Sequence, residues 1–244
     1  MKKHFDAQEI ACQIWAHVGS PPAFPRDLAL PVMEAYPVAI VELPRLSIAG
    51  ISGWLSERGR EVLGQKRDRP LSAGLIARGG HGLIFLDSLL AEDERRFAIA
   101  HEFAHFIVHY LGPRQAALAH FGSEILPVLD GKRLATAAER LAGVLRGLQI
   151  GTFEDYLGRG AEARPTDAIV AIEEQADLVA LELLAPKKDV KRMPRSAEPT
   201  RYLIDHFGLP SWAAAEYART MKIKAVPKKS LVRGLELVVR KKIS

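Results

Sequence analysis

His101-Glu102-Phe103-Ala104-His105 brings together the residue types that hydrolyse bonds with the help of a metal. On a helix, side chains four apart lie one above the other, so His101 and His105 offer two imidazole nitrogens to one ion. Glu102 lies about 100° round the helix from His101, close enough to a water on that ion to act as general base without being a ligand. The plain structural reading of the same residues is two histidines on a partly buried helix, bonded to neighbouring carbonyls.

A catalytic zinc takes three protein ligands and keeps a fourth position open. Downstream, Ile172-Glu173-Glu174-Gln175-Ala176-Asp177 supplies carboxylates. Glu173 and Asp177 share one helix face with Ala176 and Ala180, small residues that let two helices approach closely. Glu173 is the preferred third ligand, and Asp177 the acceptor for the outer N–H of a ligand histidine, which fixes its tautomer. Glu174 competes as ligand, but its position on the helix faces nearer solvent. Such a His/His/Glu set suits zinc and also accepts manganese or iron. Hydrolysis needs a further donor for the developing oxyanion. His109, Tyr156, Tyr202, His206 and Tyr217 are all candidates, and spacing does not choose among them. For His109 an internal hydrogen bond is the simpler reading.

The elements that must position these groups follow from periodicity and breakers. Residues 6–18 read as a helix closed by Gly19 and Pro21-Pro22, and residues 27–35 as a second. Strands are expected at Val38–Val41, Leu75–Ala77 and Leu83–Leu86, the last two joined in a hairpin through Gly79-Gly80 and Gly82. The Gly-punctuated stretch Ile48–Leu55 reads as another strand. Leu83–Leu86, just before the metal-site helix, is the expected edge on which an extended peptide would dock. That helix begins with Glu92, Asp93 and Glu94, which complement its dipole, and is expected to stop at Gly112-Pro113. Arg133–Leu148 has helical spacing, and residues 158–164 read as a loop. A helix capped by Thr166 or Asp167 runs from Ala168 to Leu184, where Pro186 ends it. Arg201–Phe207 and Ser211–Met221 form a last helical pair. The order implies an α+β fold, with a small mixed or antiparallel sheet packed on the His-Glu-x-x-His helix.

The bulk properties limit the alternatives. Of 244 residues, 48% are hydrophobic and 26% charged, enough apolar surface for a real core. The single cysteine, Cys12, excludes an internal disulfide and a thiolate zinc cluster and fits a reducing, cytoplasmic setting. Gln8, Glu9 and Gln13 interrupt the first helix, so it is not the apolar core of a signal peptide, and no run approaches a membrane span. Net charge is +5, concentrated in residues 222–244, where Lys222, Lys224, Lys228, Lys229, Arg233, Arg240, Lys241 and Lys242 face only Glu236. This tail offers contact to nucleic acid or an acidic partner, but nothing in it reads bases, and a solvated end is the simpler reading.

Arg96-Phe97-Ala98-Ile99-Ala100-His101-Glu102-Phe103-Ala104-His105, with His109, resembles the signature of the ImmA/IrrE metallopeptidases. Glu173–Asp177 followed by Leu183-Leu184-Ala185-Pro186 is similar to that family's second motif, and His206–Pro210 with Ala213-Ala214 to its closing helix pair. Pro37-Val38 and Ile84–Asp87 are similar to its upstream strands. The resemblance spans most of Asp6–Met221 and implies a zincin-like domain over residues 1–221 that acts as a zinc endopeptidase. It implies as substrate a helix-turn-helix transcriptional repressor encoded nearby, cut to release a stress or mobile-element response. Residues 113–165, which lengthen the interval between His105 and Glu173, read as a helical insertion; Asp177 stands where the family has Asn, and Ala185 where Met is common. Two other readings compete. The pair within residues 195–221 has helix-turn-helix length, yet offers only Glu216 and Arg219 to bases. A metal sensor without hydrolysis would not need Glu102.

Overall fold

The computed structural model describes residues 5–60, 67–158, 167–194 and 196–221. The basic tail, the Thr166 cap and, beyond Gly158, which ends a strand, the loop expected at 158–164 lie outside the described residues. Helices α1 (Ala7–Val18) and α2 (Ala29–Ala35) precede strand β1 (Val38–Leu43), helix α3 (Ile48–Glu57) and the hairpin β2 (Leu71–Arg78) and β3 (His81–Asp87). Helix α4 (Glu92–His105) follows. It continues through a π-helical segment, Phe106–Leu111, into α5 (Gly112–Phe121). Short helices α6 (Leu126–Leu129) and α7 (Ala137–Leu141) lead to strand β4 (Phe153–Gly158). Helix α8 (Asp167–Leu184), a short α9 (Lys187–Val190), α10 (Pro199–Phe207) and α11 (Ser211–Thr220) complete the described chain. No described helix is long and apolar enough to cross a membrane.

The sheet is mixed, in the order β1-β3-β2-β4, with β1 parallel to β3 and both β3 and β4 antiparallel to β2. Its two faces bury different things, as side-chain alternation requires. Ala73, Leu75, Ala77, Ile84 and Leu86 join the main core under α4. Leu71, Ile76 and Phe85 face the other way and are covered by α3 through Ile48, Ile51 and Leu55. Helix α4 lies between the sheet and α8, so every residue from Phe97 to His105 is buried. A helix is buried all round only when it sits inside the core, and here that forces His101, Glu102 and His105 into the interior. Ala176 and Ala180, fully buried on α8, provide the close approach to α4.

Four expectations are corrected. Residues 48–55 are helical: Ser47 caps α3 by accepting from the Gly50 amide, and Ile48, Ile51 and Leu55 fall on one helical face. Gly112-Pro113 does not end the helix that carries His101 and His105. The π-helical segment shifts the hydrogen-bond ladder by one residue, so Pro113 falls in the first turn of α5, where its missing N–H leaves no gap. A Cβ on Gly112 would lie 2.9 Å from the Ile107 carbonyl, so only glycine fits this junction. Arg133–Leu148 is not one helix. Gly143 and Gly147 adopt φ of 76°, which breaks the run after α7, and Leu134 and Leu141 are exposed rather than packed. Finally, β3 is no docking edge, because β1 and β2 pair with it on both sides. The outer strands are β1 and β4, and β4, within residues 113–165 that were expected to be helical, is one that sequence periodicity did not reveal.

Candidate metal centre

Helices α4 and α8 bring most of the expected site residues to one point. His101 Nε2 and His105 Nε2 face each other at 3.1 Å. Glu173 Oε2 lies 3.3 Å from the first and 3.7 Å from the second. On the far side of the His101 ring, Nδ1 donates to Asp177 Oδ1 at 2.9 Å, which points Nε2 toward the other donors. Glu174, its neighbour on α8, is exposed. Glu102 is fully buried on the same helix as the two histidines.

A fourth group joins them from β4. Asp155 Oδ2 lies 3.6 Å from His105 Nε2. Backbone register explains why. Asp155 pairs with Leu75 on β2, and paired residues point to the same face, here the one covered by α4. Its neighbours Glu154 and Tyr156 alternate to the opposite face, where Tyr156 packs against the α3 core. Gly74 makes the approach possible: a Cβ there would lie 2.9 Å from the Tyr156 ring and 3.2 Å from the Asp155 carbonyl. Sequence reasoning missed Asp155. The available signal was modest, two aromatic residues and a leucine between Gly151 and Gly158, and nothing local tied it to β2.

The donor set fits a cation. One atom from each of His101, His105, Asp155 and Glu173 lies within 4.8 Å of the others. Metal–ligand distances of about 2.0–2.2 Å in a tetrahedron place ligand atoms about 3.3–3.6 Å apart, close to the separations given above. The metal-free electrostatics also demand positive charge. Burial pushes the His101 imidazole down, but hydrogen bonds to Asp177 and Glu173 and the charge of Glu102 more than reverse this, lifting it from 6.5 to about 10. For Glu173 burial pushes the carboxyl up, yet the close approach and charges of His101 and His105 hold it well below the ordinary carboxylate range.

The other sequence candidates are placed elsewhere or already engaged. His109 lies beside His105, ring centroids 5.2 Å apart; burial and the His105 charge push it down to about 4, although it donates to the Ile172 carbonyl. The Tyr217 hydroxyl donates to the Ala185 carbonyl at 3.1 Å. Tyr202 and His206 stack on each other and pack against Phe207, with His206 also touching Phe24.

Fold and site together define an α+β protein whose buried central helix presents a cluster fitted to a metal ion. Residues 63–146 match the family model described as IrrE N-terminal-like domain, a peptidase family, in agreement with the ImmA/IrrE resemblance of the motifs. The match supports a peptidase. It contains β2, β3 and α4 with all of His101–His105, and ends before Asp155 and Glu173. No match was found among curated proteins.

Proposed function

We propose that the protein is a zinc-dependent endopeptidase that makes a regulatory cut in a helix-turn-helix transcriptional repressor encoded beside it, in the cytoplasm. The observation that carries the reading is Glu102, a fully buried carboxylate adjoining a donor cluster that fits one cation. Burying a carboxylate is costly unless nearby charge compensates it, and a site that only stored metal would have no use for this one. His101, His105 and Glu173 would hold the zinc, which would lower the pKa of a water from about 15.7 toward about 7 and polarise the carbonyl to be attacked. Glu102 takes the attacking water's proton and later passes it to the leaving amine. Asp177 holds the His101 ring in place throughout.

Of the two outer strands, β1 and β4, it is the β4 side of the sheet that borders the cluster, through Asp155, and this side is where an extended peptide would be added. A small cleft of about 70 Å³ lined by Leu90, Phe97, Ala98 and Trp212, with Ser72 and Glu94 at its polar margin, offers an apolar surface to a side chain. Phe97 connects it to the cluster, since its ring stacks on His101. The DNA-binding alternative is disfavoured by α11, which spends Ala213, Ala214, Tyr217 and Ala218 on the core and pairs Glu216 with Arg219 on its surface.

The test compares wild type with Glu102→Gln, measuring bound metal and cleavage of the neighbouring repressor. Both proteins are expected to bind metal, and only wild type to cut. Equal cutting by the variant would refute the mechanism.

A further inference from the structure

We infer that Asp155 is a fourth protein ligand of the metal, so that the folded site is closed, and that β4 must shift before the site can accept a peptide carbonyl. The inference rests on the peptidase reading for its consequence, but not for the ligand assignment itself.

Three observations carry it. First, Asp155 Oδ2 and Glu173 Oε2 stand at nearly equal distances from His105 Nε2, 3.6 and 3.7 Å. Both are too long for direct hydrogen bonds but suit two donors sharing one ion. Two carboxylates and two imidazoles converging on one point complete a tetrahedron, and a closed tetrahedron is the pattern of sites that hold metal without turning over substrate. Second, the placement is enforced by the backbone. Register with Leu75 turns Asp155 toward α4, and the missing side chain of Gly74 lets β4 lie close. Third, Asp155 arrives on a strand at the margin of the sheet. β4 is an edge strand among the described residues, with one ladder to break, whereas His101, His105 and Glu173 sit on helices packed against each other in the core. Edge elements open at lower free energy than core ones. The same strand therefore supplies the plug and, once displaced, exposes the edge on which a peptide would lie.

The test uses the full chain with cobalt(II) in place of zinc, and acetohydroxamate as a small ligand that needs an accessible coordination position. Wild type is expected to leave its visible absorption nearly unchanged on adding acetohydroxamate. Asp155→Ala and the near-isosteric Asp155→Asn should respond at concentrations at least about tenfold lower. Zinc affinity, read by competition with a chromophoric chelator, should fall at least about tenfold in Asp155→Ala, since losing even an outer partner of a ligand costs about 10–100-fold. Gly74→Ala, which pushes β4 outward with Asp155 intact, should shift the hydroxamate response in the same direction. If wild type takes up acetohydroxamate as readily as Asp155→Ala, or if zinc affinity is the same in both, the inference is overturned. Glu102→Gln separates the two claims. A variant that still cuts defeats the peptidase mechanism while the Asp155 results stand, and an inert Glu102→Gln beside an unaffected Asp155→Ala defeats only the fourth ligand.

Discussion

The two sides of the metal centre are built in different ways. His101, Glu102 and His105 sit on α4, and Glu173 and Asp177 on α8, so each set is positioned by the pitch of a single helix. The two helices are locked by Ala176 and Ala180 inside the main core. Asp155 is held instead by one strand at the margin of the sheet, through pairing with residues about eighty positions away. One side is rigid and local, the other marginal and long-range. The difference separates the groups that make a metal site from the group that controls access to it.

That contrast can be broken or sharpened by experiment. The largest expected effect is that of Glu173→Ala, which removes a carboxylate of the cluster from the rigid side. Zinc affinity should fall by about a hundredfold or more, beyond the upper end of the effect of an outer-shell loss and well beyond that of Asp155→Ala. Chelator competition on both variants measures the order, and a larger loss at Asp155 would invert the assignment of rigid and marginal sides. Next comes Ala180→Leu, which overpacks the α4–α8 contact without touching a ligand. It should cost about 1–3 kcal/mol in urea unfolding and weaken zinc binding by moving Glu173 away from the histidines. If stability drops but zinc affinity holds, the helix packing does not set the ligand geometry.

The last effect is a pH trend. In the metal-free protein the His101 imidazole is raised from 6.5 to about 10, so the folded state holds that proton more tightly than the unfolded chain. Its contribution to stability is therefore fully present below about pH 6.5 and is lost as pH rises through about 10. Melting temperatures of the metal-free protein should decline across that window, and Asp177→Ala should flatten the decline because Asp177 is one of the groups that raise His101. Asp155→Ala should leave the slope as it is. The zinc-loaded protein should not follow the trend, since metal binding requires the neutral imidazole.

The legible part of the site was the part whose geometry is short-range. A His-Glu-x-x-His run and a Glu-x-x-x-Asp run each share a helix face whatever the rest of the chain does. The strands β1, β2 and β3 were also readable, because apolar runs between glycines mark buried strands. At helix α3, Gly50 and Gly53 resemble strand punctuation, while the Ser47 cap and the Ile48/Ile51/Leu55 spacing carry the helical signal. The π-helical segment was illegible for another reason. Gly-Pro ends most helices, and only the packing of Phe106 against Gly82, where a Cβ would lie 2.8 Å from the ring, together with Leu111 and Tyr110 in the core, carries the chain onward.

The sequence by itself determined that two imidazoles and three carboxylates would lie on two helices, since helical pitch is a local property. The tertiary structure alone decided that those helices face each other across small side chains, and that Asp155 completes the cluster. Strand register depends on partners far along the chain, and a shift of one residue would have turned Asp155 to the opposite face.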